Sequence, residues 1–171
     1  MKNLIVYYSR KGENYWNGSV KNLPKGNTAI VAEFIKEAVG GDLFEVETVK
    51  PNSEDYFTCT KEAKDELHAN ARPQIKRFSD GIDEYDNIFV GYPNWWGTMP
   101  MAMFTFLEHY DLKGKKIIPF CTNEGSGMGS SERDLVKICV GAKIAKGLPI
   151  RGSRVAESKR EICDWAKKSV E

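Results

Sequence analysis

GYPNWWGTMP, residues 91–100, is the stretch on which the reading of this chain turns. It follows an apolar run, Ile88–Val90, and brings together Pro93, two adjacent tryptophans, Gly97, Thr98 and Pro100. Successive side chains of a strand alternate between its two faces, so Trp95 and Trp96 cannot both point inward from one strand. They belong to a loop at the strand's end, stiffened by proline and turned by glycine. Two large aromatic faces held there ask for a planar ligand or for something to pack on.

Outward from this loop, apolar strand-like runs alternate with helical patterns. Strands are expected at Leu4–Tyr8, Leu43–Thr48, Asn87–Gly91, Ile117–Thr122 and Lys143–Leu148. Ile30, Val31, Phe34, Ile35 and Ala38 mark one face of a helix over Asn27–Val39. Further helices are expected within Glu54–Ala71, over Pro100–Tyr110 with Pro100 in the first turn, over Ser130–Cys139 and over Ser158–Val170. Strands alternating with helices predict an α/β fold: a doubly wound, five-stranded parallel sheet covered on both faces. Pro119 is the one local conflict, because it removes a donor inside an inner strand.

With 171 residues, 41% hydrophobic and 29% charged, and no linker or repeat, the chain reads as one domain over residues 1–171. No apolar stretch is long enough for a membrane span, and MKNLIVYYSRKG turns polar too early for a signal peptide. A net charge of +1 and one short basic segment, residues 70–78, argue against nucleic acid or a membrane surface as partner. Cys59, Cys121, Cys139 and Cys163 have no CxxC or metal-like spacing, so they are expected as reduced thiols in a cytoplasmic protein. His68 and His109 stand alone on charge-rich segments and are expected at the surface, with no metal site.

Ligands of open parallel sheets bind beyond the carboxyl ends of the strands. Three loops meet that edge. The first, residues 9–28, offers Ser9, Gly12, Gly26, Asn27 and Thr28, the residue types of a phosphate site at a helix start. Asn27 or Thr28 would equally serve as a plain N-cap. Neither GxxxxGK[ST] nor GxGxxG is present, and residues 13–25 are either a surface excursion or a flap over a ligand. The second is the tryptophan loop. The third, TNEGSGMGSSE, carries Gly125, Gly127 and Gly129, suited to mobility or to close approach of a flat ligand. Phosphate donors, aromatic faces and glycine backbone on one edge together fit a planar aromatic ligand with a single phosphate, and flavin mononucleotide (FMN) has that shape.

The element order, the Ser9–Thr28 loop ending in GNT, GYPNWWGTMP and TNEGSGMG together resemble the flavodoxin family over essentially the whole chain. The resemblance implies a three-layer sandwich with strand order 2-1-3-4-5 and one non-covalent FMN. It places Ser9, Arg10, Asn27, Thr28 and Ala29 on the phosphate. Pro93, Asn94, Trp95, Trp96, Gly97 and Thr98 would line one side of the ring, with Trp95 or Trp96 stacked on it. Thr122, Asn123, Glu124, Gly125 and Gly127 would form the other wall, and Gly97 is the candidate for a backbone position that adjusts with the flavin's protonation. Indole packing with Glu124 nearby would make the reduced protein a strong one-electron donor, with no catalytic acid, base or nucleophile.

Flavodoxins are markedly acidic, whereas this chain balances 25 Lys and Arg against 24 Asp and Glu. Two roles therefore stand side by side: an electron carrier between redox proteins, and an FMN-dependent NAD(P)H reductase of quinones or other small acceptors. A flavin-free receiver domain would need acidic residues after the first strand, where Tyr8-Ser9-Arg10 has none. A cysteine phosphatase would need an arginine closer to Cys121 than Arg133, so Cys121 is expected as a buried strand thiol.

Overall fold

The computed structural model covers residues 1–171. Its strands are β1 (Asn3–Tyr7), β2 (Gly12–Trp16), β3 (Ser19–Leu23), β4 (Asp42–Glu45), β5 (Asn87–Pro93), β6 (Lys116–Asn123), β7 (Lys143–Ile144) and β8 (Leu148–Arg151). The helices are α1 (Asn27–Val39), α2 (Tyr56–His68), α3 (Met101–Glu108), α4 (Ser131–Ile138) and α5 (Lys159–Val170). The main sheet is parallel and runs β4-β1-β5-β6-β7, with β8 taking up the place beside β6 that β7 leaves. With β2 and β3 set aside, this is the expected order 2-1-3-4-5.

Alternation along each strand builds the layers. Leu4, Val6, Ile88, Val90, Tyr92, Ile117 and Cys121 face one core, closed by α3 and by Leu135 of α4. Ile5, Phe89, Ile118, Phe120 and Ile150 face the other, closed by Val31, Ala32 and Ile35 of α1 and by Ile162 and Ala166 of α5. Each inner strand is buried on both faces, which is why its sequence reads as an unbroken apolar run.

One expectation needs correction. The fifth strand, expected over Lys143–Leu148, is broken into β7 and β8. Ile117 pairs with Ile144 and Phe120 with Leu148, so Ala145–Gly147 bulges opposite Ile118 and Pro119. The N–H groups of Lys143 and Ala145 donate to the carbonyls of Lys115 and Ile117, 2.8 Å each, so odd-numbered residues of β6 turn their backbone toward this edge. Pro119 therefore has its missing donor where the ladder is interrupted, which removes the apparent conflict in the sequence. Residues 13–25, expected as either a surface excursion or a flap over a ligand, have regular structure. They form most of an antiparallel hairpin, β2–β3, turned by Asn17 (φ 46°) and Gly18 (φ 95°), the left-handed pair that a two-residue hairpin turn requires.

Candidate cofactor-binding site

The carboxyl ends of β1, β5 and β6 open into a cavity of about 690 Å³, within the span of about 300–1,000 Å³ typical of small-molecule sites. Its first wall joins the two segments that the sequence reading set on opposite sides of the ring. Pro93, Asn94, Trp95 and Trp96 line it after β5, and Thr122, Asn123, Glu124 and Ser126 after β6. The turn between Trp95 and Thr98 is closed by Trp95 N–H to Thr98 O at 2.9 Å, with Trp96 (φ 57°) and Gly97 (φ 88°) both left-handed. A tryptophan held in that region is uncommon and strained. Its indole explains the tolerance: Trp96 Nε1 donates to the Thr60 carbonyl of α2 at 2.8 Å, and Lys64 lies over the ring at 5.0 Å. Trp96 is half-exposed and bridges to α2, whereas Trp95 is half-buried and meets Tyr8 edge-on at 5.2 Å. The two indoles thus have different duties.

Asn94 ties the two loops of this wall together. Its Oδ1 accepts from Gly97 N–H, and its Nδ2 donates to Gly127 O, both at 2.9 Å. The Gly97 carbonyl accepts from Ser130 N–H at 2.7 Å and from Ser130 Oγ at 3.1 Å. Turning that peptide would break both bonds, which weighs against Gly97 as the adjustable position. A Cβ on Gly129 would fall 2.2 Å from the Gly97 carbonyl oxygen, so this glycine is required by packing between the loops rather than by ligand approach. Gly97, Thr98, Gly125 and Gly127 support the wall without lining the cavity. Thr98 Oγ1 donates to Asp134 of α4 at 2.5 Å.

Of the second wall, the hairpin part lies within residues 13–25, for which a flap was one of two readings, and the α2 part was missed. This wall consists of Asn14, Tyr15, Gly18, Ser19 and Val20 of the hairpin with Tyr56, Phe57, Cys59, Thr60 and Ala63 of α2. One cluster joins these segments. Arg10 Nε donates to Glu13 O at 3.1 Å, and its Nη1 and Nη2 donate to the carbonyls of Ser53 and Glu54, both at 2.9 Å. Glu13 Oε2 accepts Tyr56 N–H at 2.7 Å. The rings of Tyr15 and Tyr56 stack at 6.4 Å, and the hairpin tip reaches Glu124, whose Oε2 accepts Asn17 N–H at 3.4 Å. The Asn-Gly pair was the legible signal for the hairpin; nothing local announced the arginine clamp.

The expected phosphate residues are only partly gathered. Asn27 and Arg10 line the cavity, but the Arg10 guanidinium is committed to the three carbonyls. Thr28 is buried, and its hydroxyl bonds that of Thr122 at 2.8 Å, joining α1 to β6. Ser9 and Ala29 line a second cleft on the far side of the loop, where Ser9 Oγ accepts Ala29 N–H at 3.1 Å. The N-cap of α1 is Gly26, which has no side chain to offer, and Ser9 Oγ takes only the third N–H of the helix. That leaves the N–H groups of Asn27 and Thr28, with the positive end of the helix dipole, for an anion.

Cys121 is fully buried in β6 and its thiol is pushed up to about 12 by burial, so it stays protonated and unreactive at neutral pH. No group of His, Cys, Asp or Glu side chains has the geometry of a metal site.

Comparison with known proteins agrees with this architecture. The flavodoxin family profile matches residues 22–169. The chain belongs to the flavodoxin family. Among solved structures, a candidate flavoprotein of Bacteroides eggerthii is 30% identical, with TM-score 0.76 over 99% of this chain and 98% of its own. A candidate flavoprotein of Bacteroides uniformis is 28% identical, with TM-score 0.78 over 97% of each chain. A Lactobacillus acidophilus flavoprotein solved in complex with FMN shares the fold at 23% identity, TM-score 0.65, over 91% of this chain and 97% of its own. None of the curated proteins matches. The flavodoxin profile begins at Asn22, so β1 and nearly all of the hairpin lie outside the matched region. No helix is long and apolar enough to cross a membrane.

Proposed function

We propose that this flavodoxin-family chain binds one FMN non-covalently and serves as an electron-transfer protein. The observation that carries the reading is one cavity lined both by the start of α1, whose first two N–H groups have no side-chain partner, and by an indole face. The residues fit the group: Asn27 stands where α1 can receive a phosphate, Trp95 offers a flat face, and the lining holds one committed arginine and one glutamate. The relative solved with FMN supports the same reading.

When bound, the flavin supplies the one- and two-electron chemistry. The chain's own residues hold, orient and enclose. Trp95 braces the ring and is itself braced by Tyr8, which burial keeps in its neutral phenol form. Asn94 fixes the spacing between the tryptophan loop and the glycine loop. Glu124 accepts Ser153 N–H at 2.7 Å and Ser153 Oγ at 3.0 Å, which keeps a negative charge beside the cavity and disfavours added electrons there.

Titration of the protein with FMN, followed by visible absorbance and then by stepwise anaerobic reduction, tests the proposal. Stoichiometric binding with two separable one-electron steps supports a carrier. Reduction in one two-electron step, driven by NADPH alone, would make it a reductase of small acceptors instead. Absence of binding would sink both.

A further inference from the structure

The near-zero net charge is the sum of two opposed regions. Residues 42–86, which form β4, α2 and the connection to β5, hold 12 Asp and Glu against 6 Lys and Arg. Residues 113–171, which form β6 to β8, α4 and α5, hold 13 Lys and Arg against 7 Asp and Glu. These segments lie at opposite edges of the sheet. The overall count conceals this separation of charge between the two edges of the sheet.

Within the basic half, α4 has an outer face of unusual composition. Arg133, Val136 and Lys137 recur at i, i+3 and i+4, and Val140 follows just past the last turn. Val136 is 61% and Val140 75% exposed, whereas Ser131, Leu135 and Cys139 are buried. Both carboxylates of the helix turn back into the fold: Glu132 Oε1 accepts Gly147 N–H and Asp134 Oδ2 accepts the Thr98 hydroxyl, each at 2.5 Å. Only cations and valines are left outside. Arg133, Lys137, Lys143, Lys146 and Arg151 are exposed, and none of them makes an ion pair. The patch is mechanically joined to the site, because Ser130 at the start of α4 holds the Gly97 carbonyl and Asp134 holds Thr98.

We propose that the outer face of α4, with the β7–β8 corner beside it, docks a protein whose complementary face is acidic around an apolar centre. Unpaired cations around exposed apolar side chains match that face in both charge and polarity, and rim charges of this kind steer encounter and fix orientation. That the partner is a redox protein rests on the electron-transfer reading above; the surface itself does not. The sign of this charge is opposite to that of an acidic carrier.

The test is an amide NMR titration of the full chain, with and without FMN, at about 20 mM salt. The probes are an acidic [2Fe–2S] ferredoxin and the basic protein cytochrome c. The expected result is saturable ferredoxin binding with shifts confined to residues 131–151, weakening about tenfold when salt is raised to about 200 mM. Arg133→Glu with Lys137→Glu, and separately Val136→Glu with Val140→Glu, should each abolish it while melting and FMN uptake stay as in the parent. The proposal is overturned by cytochrome c choosing this face, by ferredoxin shifts on α2, or by a charge-reversed variant that binds as well as the parent. Absence of saturable ferredoxin binding, or self-association through α4, would overturn it equally. Failure of FMN uptake would strike the electron-transfer reading alone, since the titration without FMN still decides the surface.

Discussion

The two walls of the cavity are built on different principles. The wall after β5 and β6 is two local turns locked to each other: a two-residue turn at Trp96–Gly97 with an asparagine two residues before it, bonded across 33 residues to the glycine loop by Asn94 and by the Gly97 carbonyl. The hairpin–α2 wall is made across 43 and 44 residues of chain by one guanidinium and one carboxylate. A wall of the first kind is stiff because its local conformations are few. A wall of the second kind is only as firm as its clamp, and it can be removed at a single residue.

Arg10→Ala should therefore have the largest effect. Hydrogen bonds to a charged partner contribute about 1.5–3 kcal/mol each, and partial exposure of this cluster brings the combined loss to roughly 3 kcal/mol. Amide hydrogen exchange should show β2 and β3 losing protection while β1, β5 and β6 keep theirs. Unchanged protection in the hairpin would mean that the walls do not differ in this way.

Trp95→Ala strikes the other wall. Burial and stacking of a large aromatic together contribute about 2–4 kcal/mol, so FMN affinity should fall by roughly 30-fold or more in an absorbance titration. An unchanged Kd would remove Trp95 from the ring site.

Gly129→Ala should lower stability by about 1–3 kcal/mol, because the new methyl group meets the Gly97 carbonyl at a left-handed position. Gly97→Ala, with open space around its Cβ, should lose only about 1 kcal/mol from backbone strain. Melting temperatures decide the order of the pair. The reverse order would show that ligand approach rather than loop packing selects these glycines.

Trp96→Ala is expected to be the mildest for FMN, at less than about 1 kcal/mol, because a half-exposed side chain contributes only part of its burial energy. Its loss should appear instead as faster exchange near Thr60. An effect on FMN equal to that of Trp95 would make the two indoles equivalent and discard the distinction drawn between them.

The sequence by itself determined the fold class, the strand order through its family resemblance, and the turn at Trp95–Thr98. Apolar runs buried on both sides fix a parallel sheet, and Pro, Gly and paired tryptophans fix a turn at a strand's end, whatever the rest of the chain does. The hairpin was within reach through Asn17-Gly18. The broken fifth strand was half-visible in Pro119, whose missing donor could be assigned to one side only once β7 and β8 were in place. Tertiary structure alone decided which expected site residues face the cavity. Thr28 and Ser9 carry the right hydroxyls, yet their partners, Thr122 and the Ala29 amide, lie 94 and 20 residues away and turn those hydroxyls to structural use. Arg10 reads as an anion ligand in sequence and becomes a clamp because three carbonyls converge on it in the fold. The physical reason is common to all three. A polar group's role is set by which partners reach it first, and for these groups the partners are brought by the sheet and helices rather than by neighbouring residues.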